Sequence, residues 1–134
     1  MFSAMLLAIS TIALSQFALY YWRAVLSGVA EQPVSPRVLE AARLDGDRVR
    51  GEDFEVLAGL HELTPVLAPG PGGIALVRAY FRILQAVGFL AGSRIPSLSG
   101  WSSRERAVCA RYTAVQIDRR LQANLALSAS LRSC

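Results

Sequence analysis

The chain is 134 residues long with a net charge of +4, and all 14 of its basic side chains are arginine. Without lysine there is no Schiff-base amine, no phosphate-loop lysine and no lysine general base. His61, Cys109 and Cys134 are the only histidine and cysteines, too few and too widely spaced for a four-ligand zinc site within one chain. A hydrophobic share of 53% and a mean hydropathy of +0.36 are high for a soluble protein. The length suits one apolar segment plus a domain of roughly 100 residues.

Met1 to Trp22 carries no charged side chain, and Arg23 follows Tyr20, Tyr21 and Trp22 directly. At about 1.5 Å per residue this run reaches roughly 33 Å as a helix, enough for a hydrocarbon core about 30 Å thick. The segment 1–26 is therefore predicted to be a transmembrane anchor, with Tyr20, Tyr21, Trp22 and Arg23 at the membrane interface. Ser3, Ser10, Thr11 and Ser15 can return their hydroxyls to carbonyls of the preceding turn, while Gln16 wants another helix or the interface. A cleaved signal peptide, which would yield a secreted protein, is the alternative. It fits less well: the charge lies on the wrong side of the apolar run, and the small residues Gly28-Val29-Ala30 follow three bulky aromatics. Arginine counting sets Arg23, Arg37 and Arg43 against a bare amino terminus. It predicts a single-pass protein with its N-terminus outside and its C-terminal domain cytoplasmic.

Residues 27–34 read as a juxtamembrane linker and 35–134 as an all-α domain of about four helices. The first, 35–44, starts at Ser35 as cap with Pro36 in the first helical position and Val34 stapled to Leu39. Asp45-Gly46-Asp47 makes a turn. It does not make a calcium loop, since the carboxylates and glycine fall at the wrong positions. The second helix, 52–63, carries Glu52, Asp53 and Glu55 in its first turn and offers Phe54, Leu57, Leu60 and Leu63 as inward residues. Within it His61 reads as a structural histidine. Pro65 stops the helix. Pro69-Gly70-Pro71-Gly72-Gly73 is a stiff linker, lacking the Gly-Lys-Ser/Thr ending of a phosphate loop.

The third helix, 74–91, is the most apolar, with Leu76, Tyr80, Ile83, Val87 and Leu90 at helical spacing. Arg78, Arg82 and Gln85 form a narrow polar strip. Two arginines at about 2.5–3.5 kcal/mol each argue against a second span and leave a core helix, with an interfacial one as the alternative. Arg78 and Arg82 would be better off facing Glu52, Asp53, Glu55 or Glu62, or an anionic lipid surface, although a solvated polar strip is the commoner outcome. The last helix, 103–131, is predicted to open with the capping box Ser102-Ser103-Arg104-Glu105 and to present Ala107, Ala110, Ala114, Ile117, Leu121 and Leu125 on one face. Its far end should overhang the domain or else fray or fold back; as an overhang it makes Leu121, Leu125 and Leu131 candidates for self-association or for docking another protein. Cys109 should be a packing residue, and a straight last helix keeps Cys109 and Cys134 too far apart to pair.

No catalytic, cofactor-binding or metal-binding residue is assigned. The arginines are mixed with acids along the chain and form no stripe with stacking aromatics, so nucleic acid is not an expected partner. The expected partners are the lipid bilayer and an unidentified protein or a second copy. The expected function is that of a non-enzymatic, membrane-anchored interaction or accessory subunit. The alternative is a small enzyme built from Glu52, Glu62, Arg78 and Arg82.

Overall fold

Residues 2–41, 49–64, 74–92 and 94–133 are described in a computed structural model of the protein. They are all-α: five helices in the order α1 (Phe2–Ala30), α2 (Pro36–Ala41), α3 (Gly51–Leu63), α4 (Ile74–Ala91) and α5 (Pro96–Arg132), with no strand among the described residues. The expected Asp45-Gly46-Asp47 turn, the end of the helix predicted over 35–44, Pro65, the Pro69–Gly73 linker and Cys134 lie outside the described residues.

α1 is a 29-residue helix, long and apolar enough to cross a membrane, and residues 2–20 are exposed on all sides. Two of its hydroxyls are satisfied as the sequence predicts. Thr11 donates to the carbonyl of Leu7 and Ser15 to that of Thr11, both at 2.7 Å. The helix does not end at a linker near residue 27. It continues through Ala30, because its last turns are part of the domain: Leu26 and Ala30 are buried and Trp22 packs on the same core.

α2 starts at Pro36, and Ser35 contributes its carbonyl, which accepts from the N–H groups of Val38 and Leu39. In α3 the Asp53 carboxylate accepts from the Arg50 N–H at 3.3 Å, using one donor ahead of the helix. Phe54 and Leu57 point inward as predicted. Leu60 and Leu63 do not, and Ala58 and His61 are buried in their place. Thr64 closes α3 with its N–H and hydroxyl both on the Leu60 carbonyl.

α4 and α5 form an antiparallel hairpin. The turn opens with Gly92 at φ 42°, the left-handed conformation suited to a residue just past a helix end, and its N–H returns to the Gly88 carbonyl. α5 begins at Pro96, seven residues before the start the sequence predicts, and runs for 37 residues. The expected capping box does not form. Ser102 lies inside the helix, fully buried, and its hydroxyl donates 2.6 Å across to the Leu84 carbonyl of α4. Gly88 permits that approach, since a Cβ there would lie 2.9 Å from the Ser102 hydroxyl.

The face of α4 that turns inward also differs from expectation. Val77, Phe81, Leu84 and Ala91 are buried, whereas Leu76, Ile83 and Leu90 are exposed and Tyr80 and Val87 half-buried. On α5, Ala107 is half-buried and Ala110, Ala114 and Ile117 are buried, but Leu121 and Leu125 are exposed. The core is gathered around α5, where Leu26 of α1, Val38 of α2, Phe54 and Leu57 of α3 and Val77, Phe81 and Leu84 of α4 meet Cys109, Ala110 and Ala114.

Candidate functional site

The most specific polar arrangement lies where α1, α4 and α5 converge. Glu105 sits on the inner side of α5 with its side chain only 9% exposed. One carboxylate oxygen accepts from Arg23 Nε at 3.0 Å and Nη2 at 2.6 Å, and the other accepts from the Tyr80 hydroxyl at 3.2 Å. The Arg23 guanidinium, with a side chain 49% exposed, also lies 5.8 Å from the centroid of Trp101, within cation–π range. Arg23 thus arrives from the apolar helix, Tyr80 from α4, and Glu105 and Trp101 from α5. A carboxylate this enclosed requires charge-assisted donors, and three N–H or O–H groups supply them.

The groups beside Glu105 are held in their protonated forms. Burial, then the Glu105 charge, pushes the Tyr80 phenol well above its ordinary range. The same two causes, in the same order, push the Cys109 thiol up to about 12. Cys109 is buried and remains a thiol at neutral pH, the packing residue the sequence predicts. A small recess of about 330 Å³, lined by Tyr20, Arg23, Ala24, Ser27, Glu105 and Val108, opens beside the pair. The arrangement suits a fixed joint between the apolar helix and the domain. It does not present an activated nucleophile.

Replacing Arg23 tests this joint. Arg23→Ala leaves Glu105 buried with only the Tyr80 hydroxyl. The expected loss is about 2–3 kcal/mol, below the cost of breaking a fully buried pair because Arg23 is half open to solvent. Glu105→Gln keeps an acceptor for Tyr80 and should lose less. Thermal unfolding in mild detergent, followed by circular dichroism, ranks the two; equal loss, or none from Arg23→Ala, would contradict the assignment.

The other predicted residues are placed as follows. Tyr20 and Tyr21 are exposed and Trp22 is half-buried. Of the outcomes the sequence allows for Arg78 and Arg82, the pairing with α3 is the one found: Arg78 bridges Glu62 at 2.9 Å and Glu55 at 3.4 Å, and Arg82 reaches Glu55 at 3.5 Å. These are surface pairs: the Glu62 side chain is 58% exposed. Glu52, Glu55 and Arg82 line an open cleft of about 460 Å³ with Arg50, Gly51, Phe81 and Gln85; Glu62 is not among its lining residues. His61 is buried, and burial together with Arg120 lowers its pKa. Its folded form therefore resists protonation, and the stability it contributes falls as pH drops through its ordinary value near 6.5. Leu121, Leu125 and Leu131 are exposed on the overhanging end of α5. Among the described residues no group of three His, Cys, Asp or Glu is placed to hold a metal ion.

Glu105 is the residue of this arrangement that sequence reasoning misses. Its spacing suggests a local capping role, and its partner lies 82 residues away. The available signal was composition. Between Arg94 and Gln116 Glu105 is the only acid, set among arginines and apolar residues on a helix destined for the core. Compared with protein-family models, with curated proteins and with solved structures, the chain matches none of them.

Proposed function

We propose that the protein is a membrane-tethered helical accessory subunit, with α1 crossing the bilayer once and the α2–α5 domain held against the cytoplasmic face to engage a protein partner. One observation carries the reading: the same helix is exposed and apolar over residues 2–20 and part of the domain core from Trp22 to Ala30. A tether built this way has no slack. It sets the domain at a fixed distance and tilt from the lipid, which suits presentation of a surface to a neighbour in the membrane. Signal cleavage after Ala30 is disfavoured on the same ground, since it would strip Leu26 from the core and Arg23 from Glu105. The cytoplasmic side follows from arginines 37 and 43, which lie on the domain side of the span. The end of α5 beyond Arg120 is the proposed docking element, with Leu121, Leu125 and Leu131 exposed along it.

Fractionation of cells making the full chain tests the tether. The protein should remain in membranes after an alkaline carbonate wash, with residues 1–30 intact by mass spectrometry. The domain should be cut by protease added to inverted vesicles and spared in right-side-out ones. Recovery in the aqueous fraction, or a mature chain starting beyond Ala30, would defeat the proposal. Crosslinking in native membranes should join the α5 end to a second polypeptide, and a chain crosslinked to nothing would remove the accessory role.

A further inference from the structure

α4 carries more apolar surface than the domain buries. Its inner face is taken up by α5 and α3, yet on the opposite side Leu76 is 61% exposed, Ile83 60% and Leu90 78%. Ala79 and Ala86 extend the same side and are also exposed. These five positions fall within an arc of about 80° at 100° per residue. The polar residues are kept off this arc: Arg78 and Arg82 lie on another flank and turn toward Glu55 and Glu62 of α3. Tyr80 sends its hydroxyl inward to Glu105 and leaves its ring at the edge of the arc.

The arc has a neighbour. Ala18, Leu19 and Trp22 of α1 face Leu76, Ala79, Tyr80 and Ile83 across a groove of about 350 Å³, open along one side. The groove offers no charged side chain and, apart from the Tyr80 and Trp22 tips, no polar one. A small polar ligand would find nothing to orient it. One wall is the lower continuation of the helix whose residues 2–17 are exposed, apolar and of spanning character. Wherever that helix meets hydrocarbon, the groove opens at the boundary of the same hydrocarbon.

We infer that α4 is a second lipid-contacting element: acyl chains of the leaflet occupy the α1–α4 groove and cover the Leu76–Ile83–Leu90 arc, while α4 itself does not cross the bilayer. The inference rests on the membrane reading of α1 and extends it. The occupant is lipid because the surface is continuous with the anchor and apolar without pattern, and because the two arginines of α4 itself, Arg78 and Arg82, are paired with α3 on another flank. A helix in this position adds rotational control to the tether, since the domain cannot spin about α1 without dragging the arc into water.

The test uses the full chain in nanodiscs of phosphatidylcholine and phosphatidylglycerol. Cys134→Ser leaves Cys109, fully buried, as the remaining native thiol. A nitroxide is then placed singly through Leu7→Cys on α1, Val56→Cys on the exposed side of α3, Ile83→Cys and Leu90→Cys. Collisions with oxygen report lipid, and collisions with a water-soluble nickel chelate report solvent. The expected result is oxygen dominance at positions 7, 83 and 90 and chelate dominance at 56. Oxygen dominance at 7 with chelate dominance at 83 and 90 overturns the inference and leaves the anchor standing. Chelate dominance at 7 overturns both. Low collision rates with both reagents at 83 and 90 mean that protein covers the arc, and overturn the lipid assignment.

Discussion

A chain beginning at Pro33, without α1, should lose its cooperative fold as well as its membrane association. The last turns of α1 do work that the rest of the domain cannot replace. Leu26 is 1% exposed, and Trp22 and Ala30 pack on the core around α5. Truncating one buried leucine typically removes about 2–5 kcal/mol, counting both transfer and cavity. The Arg23–Glu105 pair adds roughly another 2–3 kcal/mol. Together these approach the whole stability of a small domain, about 5–15 kcal/mol. The shortened chain should show helical far-ultraviolet dichroism without a sharp thermal transition, and should bind a hydrophobic dye. Leu26→Ala in the full chain should keep the anchor and lower the unfolding midpoint by roughly 10–40 °C, from about 2–5 kcal/mol at about 4–8 °C per kcal/mol for a domain of this size. A shortened chain that unfolds cooperatively at the midpoint of the full protein would show that α1 is merely attached to the domain.

That coupling also explains which parts of the structure are legible in the sequence. The apolar run ending at Tyr20-Tyr21-Trp22-Arg23 announces α1 because length and charge are local properties. Pro36 marks the start of α2 for the same reason. Charge offers the acids of α3 as partners for Arg78 and Arg82, but the sequence alone allows a solvated strip equally, and the packing of α3 on α4 decides for the pairs. Failures occur where tertiary contact overrides a local signal. Ser102-Ser103-Arg104-Glu105 has the composition of a helix start, yet each end of the motif has a stronger use elsewhere. Ser102 satisfies the Leu84 carbonyl and Glu105 receives Arg23. With those partners in place the helix extends back to Pro96, which needs no N–H partner at its first position.

α4 shows a different limit. Apolar residues occupy nearly its whole circumference, so periodicity identifies a helix without telling which side is inside. The stripe Leu76–Ile83–Leu90 is as regular as Val77–Phe81–Leu84. The contact of Gly88 with Ser102 decides the matter, because Gly88 lies on the face of the second stripe and a Cβ there would lie 2.9 Å from the Ser102 hydroxyl. That the end of α5 outruns the core is suggested by length, since the helix predicted over 103–131 already spans about 43 Å against a domain radius near 13 Å, but length does not tell an overhang from a tail that frays or folds back.

The second large effect concerns how α3 is held. Phe54 and Phe81 are both buried and stacked, with ring centroids 4.0 Å apart and planes 6° from parallel. A nearly face-to-face arrangement gains little from the ring quadrupoles, so the pair contributes mainly through buried area. Around it run the Arg78–Glu62, Arg78–Glu55 and Arg82–Glu55 bridges. All have a partner about half exposed or more, and such pairs contribute about 0–1 kcal/mol each. Phe81→Ala should therefore lower stability by roughly 3–5 kcal/mol. Glu55→Gln, which weakens two bridges at once, should lose on the order of 1 kcal/mol, and most of that should vanish in high salt. Unfolding midpoints for both variants at low and high salt separate the two contributions. Since α3 meets α4 chiefly at this ring pair and these bridges, Phe81→Ala should also speed amide hydrogen exchange across Phe54–His61 more than across Leu26–Ala30. A larger loss from Glu55→Gln than from Phe81→Ala would mean that charge holds α3 to the bundle and that the stacked rings only fill space.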